Sequence, residues 1–122
     1  MQVIPVLDLL DGHAVRAMRG ERSRYRPIQS SLCATSDPVE VARALVAATG
    51  SNVLYVADLG AILSLGDHAE VLSAICTALG RDAFLWLDAG FINFASVSAF
   101  VRRVSDRFCS DNRACLWYRV LA

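Results

Sequence analysis

Val3-Ile4-Pro5-Val6-Leu7-Asp8, Val53-Leu54-Tyr55-Val56-Ala57-Asp58 and Phe84-Leu85-Trp86-Leu87-Asp88 are three apolar runs, and each ends on an aspartate. Strands that are apolar at nearly every position are expected where both faces of a parallel sheet are covered. A charge at the end of such a strand is tolerated where the strand emerges into a cleft. The repeat therefore predicts an α/β fold of parallel βα units, with Asp8, Asp58 and Asp88 delivered to one rim at the strands' C-terminal ends.

The intervening segments supply the rest of the pattern. Asp11-Gly12 is a turn signal, and His13 to Met18 suits a short hairpin return, followed by a polar loop from Arg19 to about Thr35. Ser36-Asp37-Pro38 reads as a helix start with Ser36 as N-cap, an apolar face of Val39, Ala42, Leu45 and Val46, and Gly50 as its end. After the second strand, a loop with Gly60 and Gly66 leads to a helix opened by Asp67, apolar at Val71, Leu72, Ile75 and Leu79, and closed by Gly80. The third strand, from Ala83 to Asp88, passes Ala89-Gly90 into a helix that begins near Asn93 or Ser96 and turns Val97, Phe100, Val101 and Val104 inward. A fourth strand is expected near Ala114, yet Cys115 to Val120 carries no glycine, helix or capping signal. Such a sheet has an open parallel edge, so the chain is expected to oligomerise, aggregate or be a piece of something larger.

Composition narrows the function classes. The chain has 122 residues, enough for one domain, and 55% of them are hydrophobic. Twelve basic and 12 acidic residues give a formal charge of +0, which argues against nucleic acid and against a membrane surface as partners. Cys33, Cys76, Cys109 and Cys115 are widely spaced, with neither a C-x-x-C pair nor a histidine at ligand spacing. No metal, cofactor or disulfide framework is implied. The N-terminus lacks a charged leader before a long apolar segment, and no run reaches the roughly 18 apolar residues of a membrane span. A cytoplasmic location with reduced thiols is expected.

Three stretches carry a family resemblance. Ile4-Pro-Val-Leu-Asp-Leu-Leu-Asp-Gly-His-Ala-Val-Arg16, Ser36-Asp-Pro-Val-Glu-Val-Ala42 and Leu54-Tyr-Val-Ala-Asp-Leu59 resemble, in order and spacing, the first half of the histidine-biosynthesis TIM barrels of the HisA and HisF type. The resemblance implies the N-terminal half of a (β/α)8 barrel over residues 1–122 and an aldose-ketose isomerisation of the Amadori kind in a full-length relative. It maps a catalytic acid/base onto Asp8, the alternative being a carboxylate that merely caps backbone amides of the next loop. Asp58 matches an aspartate that closes strand two in relatives and either orients a lysine or a substrate hydroxyl or serves structure.

The resemblance also implies a phosphorylated small-molecule substrate. Arg16 sits where relatives carry a basic residue, and Arg19, Arg22, Arg24 and Arg26 make the following loop cationic, either an anion grip or an ordinary solvated loop. Asp88-Ala89-Gly90 stands where relatives carry glycines whose amides approach a phosphate, so only Gly90 keeps that pattern and Asp88 opposes a phosphate there. His13 and His68 are isolated and read as surface residues.

The second acid of the family, from a fifth strand, and its second phosphate site have no counterpart in these residues. The chain is thus expected to be inactive alone and to need either a second copy, as a homodimer, or a missing C-terminal half-barrel. Codons for Ala114 to Leu121 can encode a strand followed by glycine and threonine one base out of register. A frameshift near Arg113 is accordingly expected, with residues 110–122 as a non-native tail. A flavodoxin-like doubly wound domain is the weaker fold reading, because the first loop lacks a Gly-rich phosphate fingerprint.

Overall fold

The computed structural model describes residues 1–16, 21, 25–108 and 118–120, with side chains described as far as residue 104. Its elements are β1 (Val6–Leu10), β2 (His13–Arg16), β3 (Arg26–Pro27), α1 (Pro38–Thr49), β4 (Val53–Asp58), α2 (Leu59–Ile62), α3 (Ala69–Leu79), β5 (Phe84–Asp88), α4 (Phe94–Phe108) and β6 (Tyr118–Val120). They form one six-stranded sheet in the order β3-β2-β1-β4-β5-β6. β1, β4, β5 and β6 run parallel, whereas β2 and β3 are antiparallel additions at one edge. The sheet is a partial (βα) barrel and does not close.

Local chemistry explains the boundaries. The Asp11-Gly12 turn has φ of 50° and 77°, as a two-residue hairpin with the right twist requires. α1 is capped by Asp37, whose Oδ1 accepts the Glu40 amide at 3.0 Å. This corrects the expectation of Ser36, whose hydroxyl instead lies 2.9 Å from His13 Nδ1. Gly50 closes α1 in the left-handed conformation, as expected. α3 starts two residues after Asp67, which accepts the Ala69 amide at 3.1 Å. The single turn of α2 and the short β3 carried no periodic signal in the sequence; Ala114, where a fourth strand is expected, lies outside the described residues, and β6 pairs parallel to β5.

Strand parity divides the sheet into two unlike faces. Leu7, Leu9, Leu54, Val56, Leu85 and Leu87 point to one side, where they pack with Val41 and Ala42 of α1, Leu72, Ile75 and Cys76 of α3, and Phe100 and Val104 of α4. All three long helices therefore lie on this face. The opposite face carries Val6, Asp8, Tyr55, Ala57, Phe84, Trp86 and Asp88. Near its C-terminal margin Val15, Ala57 and Leu59 pack together with Tyr25 and Ile62, while Val6 is 58% and Phe84 37% exposed. The apolar strands thus have helices on one face only among the described residues.

Candidate functional site

The uncovered face carries the carboxylates of interest. Asp8 pairs with Val15 across the hairpin and with Ala57 on β4, and Ala57 pairs with Asp88. Asp8 and Asp88 consequently share one row, two strands or roughly 10 Å apart at ~4.8 Å per strand. Asp8 lies in the middle of β1, not at its end, because Leu9 and Leu10 continue the strand into the hairpin. It is half-buried, and burial pushes its carboxyl above the ordinary 3.8.

Tyr55 sits one row below. Burial, the charges of Asp88 and Asp8, and a hydrogen bond to Asp88 together raise its phenol above the usual range. Asp88 also accepts the Gly90 amide at 3.1 Å, so this amide is already engaged by a carboxylate. Gly90 has φ of 68°, and a Cβ there would lie 3.1 Å from Ile62 Cα, so glycine serves both conformation and close approach.

Arg16 is exposed at the end of β2, opposite Arg26 of β3. Arg19, Arg22 and Arg24 lie outside the described residues. His13 is exposed, as expected for a surface histidine.

Asp58 departs from the other two aspartates. Its register partner on β1 is Leu9, so it points to the helix-covered face, away from Asp8. It is fully buried; Oδ1 accepts the Ala61 amide at 3.0 Å and Oδ2 the His68 amide at 2.7 Å, with His68 Nδ1 2.7 Å from Oδ1. Of the two roles expected for Asp58, substrate contact and structure, these partners describe the structural one. The surface reading of His68 is overturned: its side chain is 10% exposed, and its Nε2 accepts the Gly12 amide at 3.0 Å. Sequence reasoning had no signal for this, because the partners lie 10 and 56 residues away.

A second feature lies beside the rim. A cleft of about 460 Å³ is lined by Ala61, Gly90, Phe91, Phe100, Asp67 and Arg103, among others. Arg103 pairs with Asp67 at 2.5 Å and lies 5.6 Å from the Phe100 ring centroid, while Phe91 meets Phe100 edge-on at 5.4 Å. Burial opposes ionisation of Asp67, but the Ala69 amide and the Arg103 guanidinium outweigh it and hold the carboxyl below the usual range. No group of three or more His, Cys, Asp or Glu side chains among the described residues is placed to hold a metal ion. No helix among them is long and apolar enough to cross a membrane.

Asp8 is a partly desolvated carboxylate that holds a proton more readily than a free one, near a phenol whose ionisation is opposed by burial and by the charges of Asp88 and Asp8.

Residues 2–114 match a family described as histidine biosynthesis protein. An uncharacterized protein of Methanocaldococcus jannaschii is 40% identical over 75 residues, 62% of this chain and 33% of that protein. A phosphoribosyl imidazole-4-carboxamide isomerase of Haloarcula marismortui is 30% identical over 107 residues, 87% of this chain and 40% of the relative. One from Gloeothece citriformis is 44% identical over 80 residues, 65% of this chain and 28% of the relative. The chain thus spans 28 to 40% of the length of these relatives.

Proposed function

The chain belongs to the histidine biosynthesis protein family, and we propose that it carries the strand-one half of a sugar-phosphate isomerase site and is inactive without the other half. The substrate class is a phosphorylated aminoaldose of the kind for which the isomerase relatives are named. The observation that carries this reading is Asp8: a half-buried carboxyl, raised by burial, on the uncovered face of a partial barrel.

In an Amadori rearrangement a general acid protonates the ring oxygen as the aminoaldose opens to an imine. A base then removes the proton from the neighbouring carbon, giving an enolamine that tautomerises to the ketose. Asp8 supplies one of these proton transfers, and a carboxyl of raised affinity is suited to hold the proton between steps. Arg16, with Arg19 of the adjoining loop, grips a substrate phosphate, and the Asp88 side of the rim contacts hydroxyl groups through its carboxylate.

The test is an isomerase assay of the chain alone and of the chain mixed with the C-terminal half of a relative. The expected result is no turnover alone, turnover in the mixture, and loss of that turnover with Asp8→Asn. Turnover that survives Asp8→Asn would rule out the assignment.

The exposed Val6 and Phe84 support a second reading, a non-catalytic half-barrel that pairs with another copy as a phosphate-binding or assembly module. A discrete dimer that binds phosphate, with no turnover in any mixture, would favour it.

A further inference from the structure

We propose that His68 is a positioning residue: by accepting the Gly12 amide it holds the β1–β2 hairpin, and with it the strand pair that presents Asp8. The functional meaning rests on the reading of Asp8 above, whereas the hairpin clamp is measurable without any activity.

The imidazole joins two separate parts of the chain. Nε2 lies 3.0 Å from the Gly12 nitrogen, and Nδ1 lies 2.7 Å from Asp58 Oδ1. A backbone amide can only donate, so Nε2 presents its lone pair; the proton of the neutral ring is on Nδ1 and is donated to Asp58. Asp58 is fully buried and also accepts the main-chain amide of His68 at 2.7 Å. One carboxylate thus fixes both the place of residue 68 and the tautomer of its ring.

The surroundings are shaped for that ring. A Cβ on Gly60 would lie 2.9 Å from His68 Cε1 and 2.6 Å from the Gly66 carbonyl oxygen, so only glycine leaves the imidazole this path. At the other end, Gly12 occupies the turn of a hairpin whose pairs run Leu10 with His13, Leu9 with Ala14 and Asp8 with Val15. Holding the turn fixes the register, and a slip of one residue would move Val15 from Asp8's face to the other. Asp58 and Asp8 face opposite sides of the sheet, yet the path Asp58, His68, Gly12, Asp8 connects them.

The experiment is nuclear magnetic resonance of the 122-residue chain. In the unmodified protein, long-range ¹H–¹⁵N correlations should show His68 protonated at Nδ1, bare at Nε2, and coupled through the hydrogen bond to the Gly12 nitrogen. In His68→Phe, exchange of the Gly12 amide should quicken roughly tenfold, as for loss of one hydrogen bond. The Asp8 titration, followed by carboxyl ¹³C, should fall toward 3.8 as the hairpin loosens and exposes it. A neutral ring protonated at Nε2 overturns the proposal, and so does an Asp8 titration unmoved in a folded His68→Phe chain. If that variant does not fold, the tautomer and coupling of the unmodified chain decide.

Discussion

Gly60 and His68 fit together by the absence of a side chain: a methyl on Gly60 would stand 2.9 Å from His68 Cε1 and 2.6 Å from the Gly66 carbonyl oxygen. The carbonyl is backbone and cannot step aside cheaply. Gly60→Ala is expected to destabilise the chain by about 1–3 kcal/mol, read from urea unfolding. A neutral effect would mean that the α2–α3 connection is looser than its contacts describe.

Asp58→Ala leaves the Ala61 and His68 amides without their acceptor and removes the N-cap of α2. The expected loss is about 2–5 kcal/mol. Asp58→Asn should cost less, because its amide oxygen can still accept the Ala61 amide and the His68 ring N–H while only the His68 main-chain amide loses its acceptor; equal losses would contradict the assigned hydrogen bonds.

Asp8→Asn should have the opposite sign. Because the folded chain holds the Asp8 proton above the ordinary 3.8, the native state binds more protons than the unfolded one in that window. Stability from this group is complete below 3.8 and is lost as pH rises through the raised value. At neutral pH the neutral amide avoids the burial of a charge, so Asp8→Asn should be more stable than the parent, by an increment that vanishes in acid. Thermal midpoints across pH test this, and an increment independent of pH would contradict it.

Leu54→Ala truncates a fully buried side chain between the sheet and the helices. The cavity and lost transfer energy should cost about 2–5 kcal/mol in the same unfolding assay, and a loss under 1 kcal/mol would mean the helix layer collapses to fill the space.

Val6→Lys places a charge at the most exposed apolar position of the uncovered face. If that face pairs copies of the chain, sedimentation velocity should show the parent above monomer mass and the variant shifted toward monomer. Identical profiles would locate any association elsewhere.

The sequence made the βα repeat legible because apolar runs, turn glycines and helix starts are local signals. Val53–Asp58 and the Gly50 termination of α1 stand where those signals put them. The site was less legible, and the reason is register. Asp8, Asp58 and Asp88 look equivalent as terminal carboxylates, but Asp8 and Asp88 align with Ala57 whereas Asp58 aligns with Leu9. That one-residue offset sends Asp58 through the sheet to the helices, and nothing in an isolated strand sequence encodes it. The burial of His68 is illegible in the sequence for a related cause, since its two partners become neighbours only once the hairpin and α3 are assembled.

The hairpin has one more consequence. β2 pairs with Asp8, Leu9 and Leu10, and β3 borders the same side of the sheet with two residues including a proline. A strand added on that side meets β3, whose proline offers no amide to pair with, whereas across the sheet β6 lies alongside three residues of β5. The two borders are therefore unequal: the hairpin covers β1 at the row of Asp8, so no added strand can be seated directly beside that carboxylate from this side.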